Sequence, residues 1–314
     1  MLHDILNVAF ITSLLAGAVR ITTPILFASL GELITERTGI LNLSIEGHML
    51  MGALVGFLVA FHTGSLWIGM GGALIAGALL SLIFSFMAIT LKIDQTVTGL
   101  TINILSAGLC FFFYRLAFPE VGAGDLPNVT IFATLPIPLL ADIPILGDAF
   151  FNHNILVYVA YLCVPLAYVF LYRSKYGLIV RCIGENPRAV DMKGISVIGY
   201  QYKMVMLGGM MSGAGGAFLS LASTGMWLPD ITAGRGWIAF AIVIFGNWRP
   251  MNIMFAALFF GFLDSLQLQI QGIGIQFPYQ ILLALPYVLT IVALLWKKRR
   301  SLEPLALGVP YSRE

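Results

Sequence analysis

The chain has 314 residues, of which 59% are apolar or aromatic. Its 33 glycines raise that share to about 70%, against roughly 45–50% for a soluble domain on the same basis. Charged side chains make up only 10% and leave a net charge of +2, which excludes an ordinary water-soluble globule and any phosphate-neutralising basic surface for nucleic acid.

Apolar stretches fit for membrane spans recur at residues 5–30, 41–61, 66–91, 95–118, 154–172, 201–222, 251–269 and 277–296, with a shorter one at 236–246. Each is expected to be helical, because an open strand edge would leave amides and carbonyls unpaired in hydrocarbon. The predicted fold is an all-α, polytopic transmembrane bundle of about nine spans (8–10), forming one domain over residues 1–314. No Lys or Arg precedes Arg20, unlike the charged start of a cleaved signal peptide, so the first helix is expected to stay in the mature chain. Cys110, Cys163 and Cys182 lie far apart, without metal-ligand spacing, and read as inert.

Two stretches depart from this regularity. Residues 31–40, GELITERTGI, form a charged break after a proline-containing helix, and residues 236–246 cover only about half a bilayer at 1.5 Å per residue. Broken helices are tolerated only where protein or a cavity satisfies the freed backbone, and paired breaks in two halves point to a transport site. ERTGILNLSIEG and GRGWIAFAIVIFG each place a charged residue before a glycine and an apolar helix, and they run in opposite directions. Inverted repeats would produce that pattern.

Charge sets the orientation. The connection 173–200 carries Arg173, Lys175, Arg181, Arg188 and Lys193 against Glu185 and Asp191, and the tail 297–314 opens with Lys297, Lys298, Arg299 and Arg300. The connection 119–153 carries Glu120, Asp125, Asp142 and Asp148 with no Lys or Arg. The basic connections are expected to be cytoplasmic and the acidic one external, with the N-terminus outside; Lys92 and Arg249 then also fall inside.

Polar groups within the spans are the candidates for function, since a charge there costs roughly 2.5–3.5 kcal/mol at the membrane centre. Glu46, with Asn42 and Ser44, reads either as the polar wall of a pathway or as a carboxylate reaching Arg37 or the cytosolic interface. Asn103, and Asp264 with Gln267 three residues on, could line a conduit or hydrogen-bond neighbouring helices. Gly52 with Gly56, and Gly209 with Gly213, have the spacing of close helix packing. Met204, Met206, Met210 and Met211 read as core filler. In the stretch from Tyr176 to Tyr200, the sequence Gly184-Glu185-Asn186-Pro187 starts a short surface helix over 188–193 that is shaped either to dock a partner or merely to connect two spans. There is no phosphate-binding loop, no H-E-x-x-H and no G-x-S-x-G, so an enzyme is not indicated, and His3, His48, His62 and His153 stand apart.

The blocks GELITERTGILNLSIEGHMLMGA, QTVTGLTINIL, IGENPRAVDMKGI and GRGWIAFAIVIFGNWRP resemble the permease subunits of bacterial ABC importers of the branched-chain amino acid and simple-sugar superfamily, nearest its nucleoside-type branch. Gly39-Ile40-Leu41-Asn42-Leu43 stands where the ribose-type branch has glycine-isoleucine-aspartate. The resemblance implies a plasma-membrane pore of two permeases, often a heterodimer with a second homologous permease, driven by two cytoplasmic ABC ATPase domains and fed by an external substrate-binding lipoprotein. It implies that Gly184, Glu185, Asn186, Pro187, Arg188 and Ala189 belong to a coupling helix that engages the ATPase. No cofactor is expected on this chain, with ATP-Mg on the partner subunits. Nucleosides are the expected solute, simple sugars or branched-chain amino acids the alternative, and a passive channel the alternative of another class.

Overall fold

A computed structural model of the chain describes residues 8–119, 126–138, 140–141, 143–272, 288 and 302–312. The elements in order are α1 (Val8–Glu36), α2 (Ile45–Thr63), α3 (Leu66–Ser85, prolonged by a π-helical turn, Phe86–Thr90) and α4 (Gln95–Ala117). A small hairpin of β1 (Thr134–Pro136) and β2 (Asn152–Asn154) follows, with a π-helical turn, Gly147–Phe151, between its strands. Then come α5 (Ile155–Arg173), α6 (Lys175–Glu185), α7 (Pro187–Asp191), α8 (Val197–Phe218, prolonged by Leu219–Thr224), α9 (Arg235–Phe245) and α10 (Pro250–Gly272). Seven of the described helices are long and apolar enough to span a bilayer, and α9 is a shorter apolar helix. The predicted span 277–296, the cluster Lys297 to Arg300, and Glu120, Asp125 and Asp142 lie outside the described residues.

Helix starts follow from the sequence. Asp94, Asn154, Ser174, Asn186 and Ser196 each accept a backbone N–H three residues on, closing the first turns of α4, α5, α6, α7 and α8. Pro24 sits inside α1 without ending it, and the neighbouring Thr22 and Thr23 hydroxyls bond back to the carbonyls of Ala18 and Val19.

The centre of the bundle is α8, packed against α1, α2 and α3. It is lined by glycines on several sides. A Cβ on Gly209 would stand 2.7 Å from the Gly77 carbonyl oxygen, one on Gly213 2.6 Å from that of Ala73, and one on Gly216 1.8 Å from that of Met49. A Cβ on Gly52 would in turn meet the Gly213 oxygen at 2.4 Å. The small-residue spacings thus serve backbone-to-backbone packing, the means by which helices gain van der Waals contact where lipid removes the hydrophobic drive. The opposite faces of α3, α4 and α5 expose Ile75, Leu79, Ile104, Phe112, Leu162 and Leu166, as a lipid-facing surface does.

One end of the bundle carries the α5–α8 connection with its Lys and Arg residues and is called here the basic end. Segment 126–138 lies at the other, where Val129 N–H donates to Gly225, Phe132 N–H donates to Leu221, and the Phe132 ring meets Trp67 edge-on at 5.1 Å. At this end the buried His153 ring bonds the Ala149 carbonyl at 2.9 Å, and its backbone N–H donates to Tyr158. Burial lowers the imidazole's pKa from its ordinary value; the Ala149 bond opposes this and Arg20 reinforces it. The unfolded chain therefore binds the proton first, and the stability tied to neutral His153 is complete above a pH of about 6.5 and falls as the medium is acidified through that value. The protection of the amides in 134–135 and 152–154, taken relative to their intrinsic exchange rates, is expected to fall as the pH is lowered from about 6.5 in the native protein and to lose that trend in His153→Gln.

The sequence-based boundaries need one substantive correction. Residues 31–36 are not part of a break: α1 runs on through Glu36, and the non-helical stretch is 37–44. The helix continues because its two carboxylates are buried among partners rather than left in hydrocarbon. Glu32 accepts the Asn42 N–H at 3.1 Å and Glu36 accepts the Trp248 indole N–H. A second, smaller correction concerns 175–185, expected as part of a soluble connection, which folds as the amphipathic helix α6.

Candidate functional site

Glu46 lies in the first turn of α2, at its start rather than well inside the span. Its carboxylate does not bond Arg37, whose guanidinium is taken by Leu302, Tyr172 and Trp248. It turns to the segment before α9: Oε1 accepts the Thr232 hydroxyl at 2.5 Å and the Gly234 N–H at 2.9 Å, and Oε2 accepts the Gly236 N–H at 2.6 Å. Since α2 leads away from the basic end and α9 returns to it, the N-terminal turns of two antiparallel helices meet at one carboxylate. Each helix start carries roughly half a positive charge and several unpaired N–H groups, so a single anion serves both. The close approach requires glycine, because a Cβ on Gly236 would lie 2.5 Å from the Glu46 nitrogen; Gly234, at φ +79°, makes the turn into the helix.

Asn103 completes the other side of this junction. Its carboxamide oxygen accepts the Gly47 N–H at 2.8 Å and its NH2 donates to the Leu43 carbonyl at 2.8 Å, so α4 satisfies an otherwise open N–H of the first turn of α2 and a carbonyl of the stretch leading into it. Asn42 turns inward and accepts the Ser44 N–H and hydroxyl, while Gln95 accepts the Leu41 N–H at 2.7 Å. His48, in α2, bonds the Ser44 carbonyl and the Ser81 hydroxyl. Asp264 is half-buried and feels the charge of Arg235, one residue from the Glu46 contact; Gln267 is buried further along α10. The structure thus gathers Asn42, Glu46 and Asn103 around the two broken helices and leaves Asp264 and Gln267 apart on α10.

At the basic end, α9 stops in a turn whose Asn247 and Trp248 both have positive φ, +54° and +52°. Such backbone costs about 1–2 kcal/mol per residue without glycine, and the turn is held by α1. Trp248 gives its indole N–H to Glu36, and its carbonyl accepts the Arg37 guanidinium at 2.5 Å. Arg37 also reaches the Leu302 carbonyl at 3.3 Å. Burial lowers the pKa of this guanidinium, opposed chiefly by Tyr172 and Glu185. As a set, Glu32, Glu36, Arg37 and Trp248 escape sequence reasoning, which places the first three within a predicted break and Trp248 just after the other, and offers Arg37 only as a partner of Glu46.

The predicted coupling residues occupy the junction of α6 and α7. Glu185, Asn186, Arg188 and Ala189 are exposed, Pro187 is half-buried at the first position of α7, and Asn186 accepts the Ala189 N–H at 3.1 Å. Gly184 is buried, and a Cβ there would stand 2.4 Å from the Arg37 carbonyl oxygen and 3.1 Å from Pro304. It is a packing residue that seats the junction on the bundle. Beneath α7, Ile183, Val190 and Val197 form a small core of their own. Among the described residues, no group of three or more His, Cys, Asp or Glu could hold a metal.

A family described as branched-chain amino acid transport system / permease component matches residues 13–294. The chain belongs to this permease family. It is similar, at 38% identity over 98% of its own length and 99% of the relative's, to the putative glucose ABC transporter permease protein TsgC13 of Haloferax volcanii. It is 34% identical to the guanosine ABC transporter permease protein NupQ of Bacillus subtilis, over 92% of both chains. It is 32% identical to the nucleoside ABC transporter permease protein NupC of Lactococcus lactis subsp. cremoris, over 92% of this chain and 93% of that one. No solved structure matches it. The permease is a multi-pass plasma-membrane component of an ABC transporter, a transport subunit rather than an enzyme.

Proposed function

We propose that this permease carries nucleosides inward, powered by ATP-Mg bound to a separate cytoplasmic ATPase that docks on the exposed residues of 184–189. The observation that carries the docking is geometric. Glu185, Asn186, Arg188 and Ala189 stand out where α6 meets the short capped α7, and this junction is seated through Gly184 on the Arg37 carbonyl just beyond α1 and on its own apolar cluster, so a push on it is delivered to the bundle. A second permease, homologous or identical, forms the other half of the pore, and an external binding lipoprotein delivers the solute. The acidic connection 119–153 is the external face, and 173–200 with 297–314 the cytoplasmic one, a reading supported by the Lys/Arg distribution.

Two relatives named for guanosine and nucleoside transport and the likeness of the first sequence block support the nucleoside. A hexose is the second reading, favoured by the relative named for glucose. Uptake of labelled guanosine, uridine, glucose and leucine by cells expressing the full transporter separates them. Guanosine and uridine uptake with no glucose uptake is expected, and the converse would transfer the permease to sugars. Scrambling residues 184–194 is expected to abolish ATPase copurification and energised uptake while leaving the chain in the membrane; full uptake after scrambling would refute the docking.

A further inference from the structure

The described C-terminal segment, 302–312, is hydrogen-bonded to several separate parts of the basic end. Leu302 N–H donates to the Asn247 side chain at 2.8 Å, and its carbonyl accepts Arg37 at 3.3 Å, so it joins the strained turn after α9 to the end of α1. Ala306 N–H donates to the Gly184 carbonyl at 2.8 Å, at the foot of the coupling junction. Gly308 N–H donates to the Gly39 carbonyl at 3.0 Å, in the non-helical stretch leading to α2. Gly39 has φ +83°, and a Cβ there would lie 3.0 Å from the Ala306 oxygen, so the segment and the break fit backbone to backbone. Pro304 is buried against Gly184, Leu307 packs on the main core, and Tyr311 packs on the apolar cluster under α7.

We propose that residues 302–312 are a positioning strap for transport, tying the coupling junction to the stretch that leads into α2 and to the turn that ends α9, so that movement of α6 and α7 is passed to both. This rests on the reading that the ATPase docks at 184–189. The physical reason is stiffness. A contact that ends at Gly184 would let the junction tilt on its own small core, whereas backbone hydrogen bonds from one short segment to Gly184, Gly39 and the Asn247 turn make the three positions move together. The bonds are to backbone carbonyls at two of the three points, so the strap depends on the segment's main chain more than on its side chains.

The test uses the assembled transporter in proteoliposomes, with ATP hydrolysis and solute uptake measured on the same sample. Ala306→Pro removes the one N–H that reaches Gly184, and Ala306→Gly keeps it. Deletion of 302–314 removes the strap altogether. Ala306→Pro and the deletion are expected to retain the ATPase at native stoichiometry and to hydrolyse ATP, while solute moved per ATP falls at least tenfold; Ala306→Gly is expected to match the native protein. Unchanged solute per ATP in both variants would overturn the proposal by showing the segment dispensable, and loss of the ATPase from the complex would overturn it by making the segment part of assembly. Failure of the docking reading is seen separately, as ATPase retained after residues 184–194 are scrambled in a permease with its strap intact.

Discussion

Glu46→Ala is expected to reduce uptake on the order of a hundredfold with the protein still inserted. The change orphans the Gly234 and Gly236 N–H groups and the Thr232 hydroxyl at the start of α9, and it removes the only anion at two convergent helix N-termini among the described residues. Each unsatisfied buried donor costs about 1–3 kcal/mol, so a loss of about 3 kcal/mol in the seated geometry is a conservative figure, and that is a factor of roughly 150 in an equilibrium. Glu46→Gln keeps one acceptor oxygen but loses the second and the charge, and should fall between alanine and the native protein. The measurement is initial uptake normalised to permease in the membrane, with labelling of a cysteine placed at the exposed Ala233 reporting whether the turn has loosened. Native uptake in the alanine variant would show that the junction is not needed for transport.

The second large effect is expected at Gly216. A methyl there would sit 1.8 Å from the Met49 carbonyl oxygen and 2.6 Å from its carbon, and a backbone cannot rotate out of the way as a side chain can. Helices α2 and α8 would have to separate, and overpacking of this kind costs about 1–3 kcal/mol or more. Gly216→Ala should lower the unfolding temperature in detergent and the yield of assembled protein. Gly71→Ala and Gly108→Ala, where a Cβ meets nothing within 4 Å, should behave as the native chain. Equal thermal stability of all three variants would mean that close approach of α8 is not what holds the bundle.

The division between what is legible in the sequence and what is not follows the range of the interactions. Spans are legible because solvent dictates them: α2, α3, α4, α5 and α10 fall where apolar runs of span length lie. The two breaks are legible because charge and glycine beside a short apolar run rarely belong to an unbroken membrane helix. What each break is tied to is not, since Glu46 bonds residues 186 to 190 positions away and Glu36 bonds a tryptophan 212 positions away. The same distance makes GELITE look like a break: two glutamates in an apolar setting read as an interruption until their donors are known. Asn103, for which a conduit and a helix contact are both open in the sequence, is occupied by Gly47 and Leu43. The coupling junction is legible in its cap and proline, but the inward role of Gly184 emerges only when Arg37 and Pro304 lie against it.

The arrangement at Glu46 also decides what the two helix starts can hold. Two helix starts that point into a membrane protein ordinarily offer an electropositive pole able to hold a carboxylate or phosphate. Here that pole is quenched by the protein's own carboxylate, so the junction offers nothing to an anion from outside.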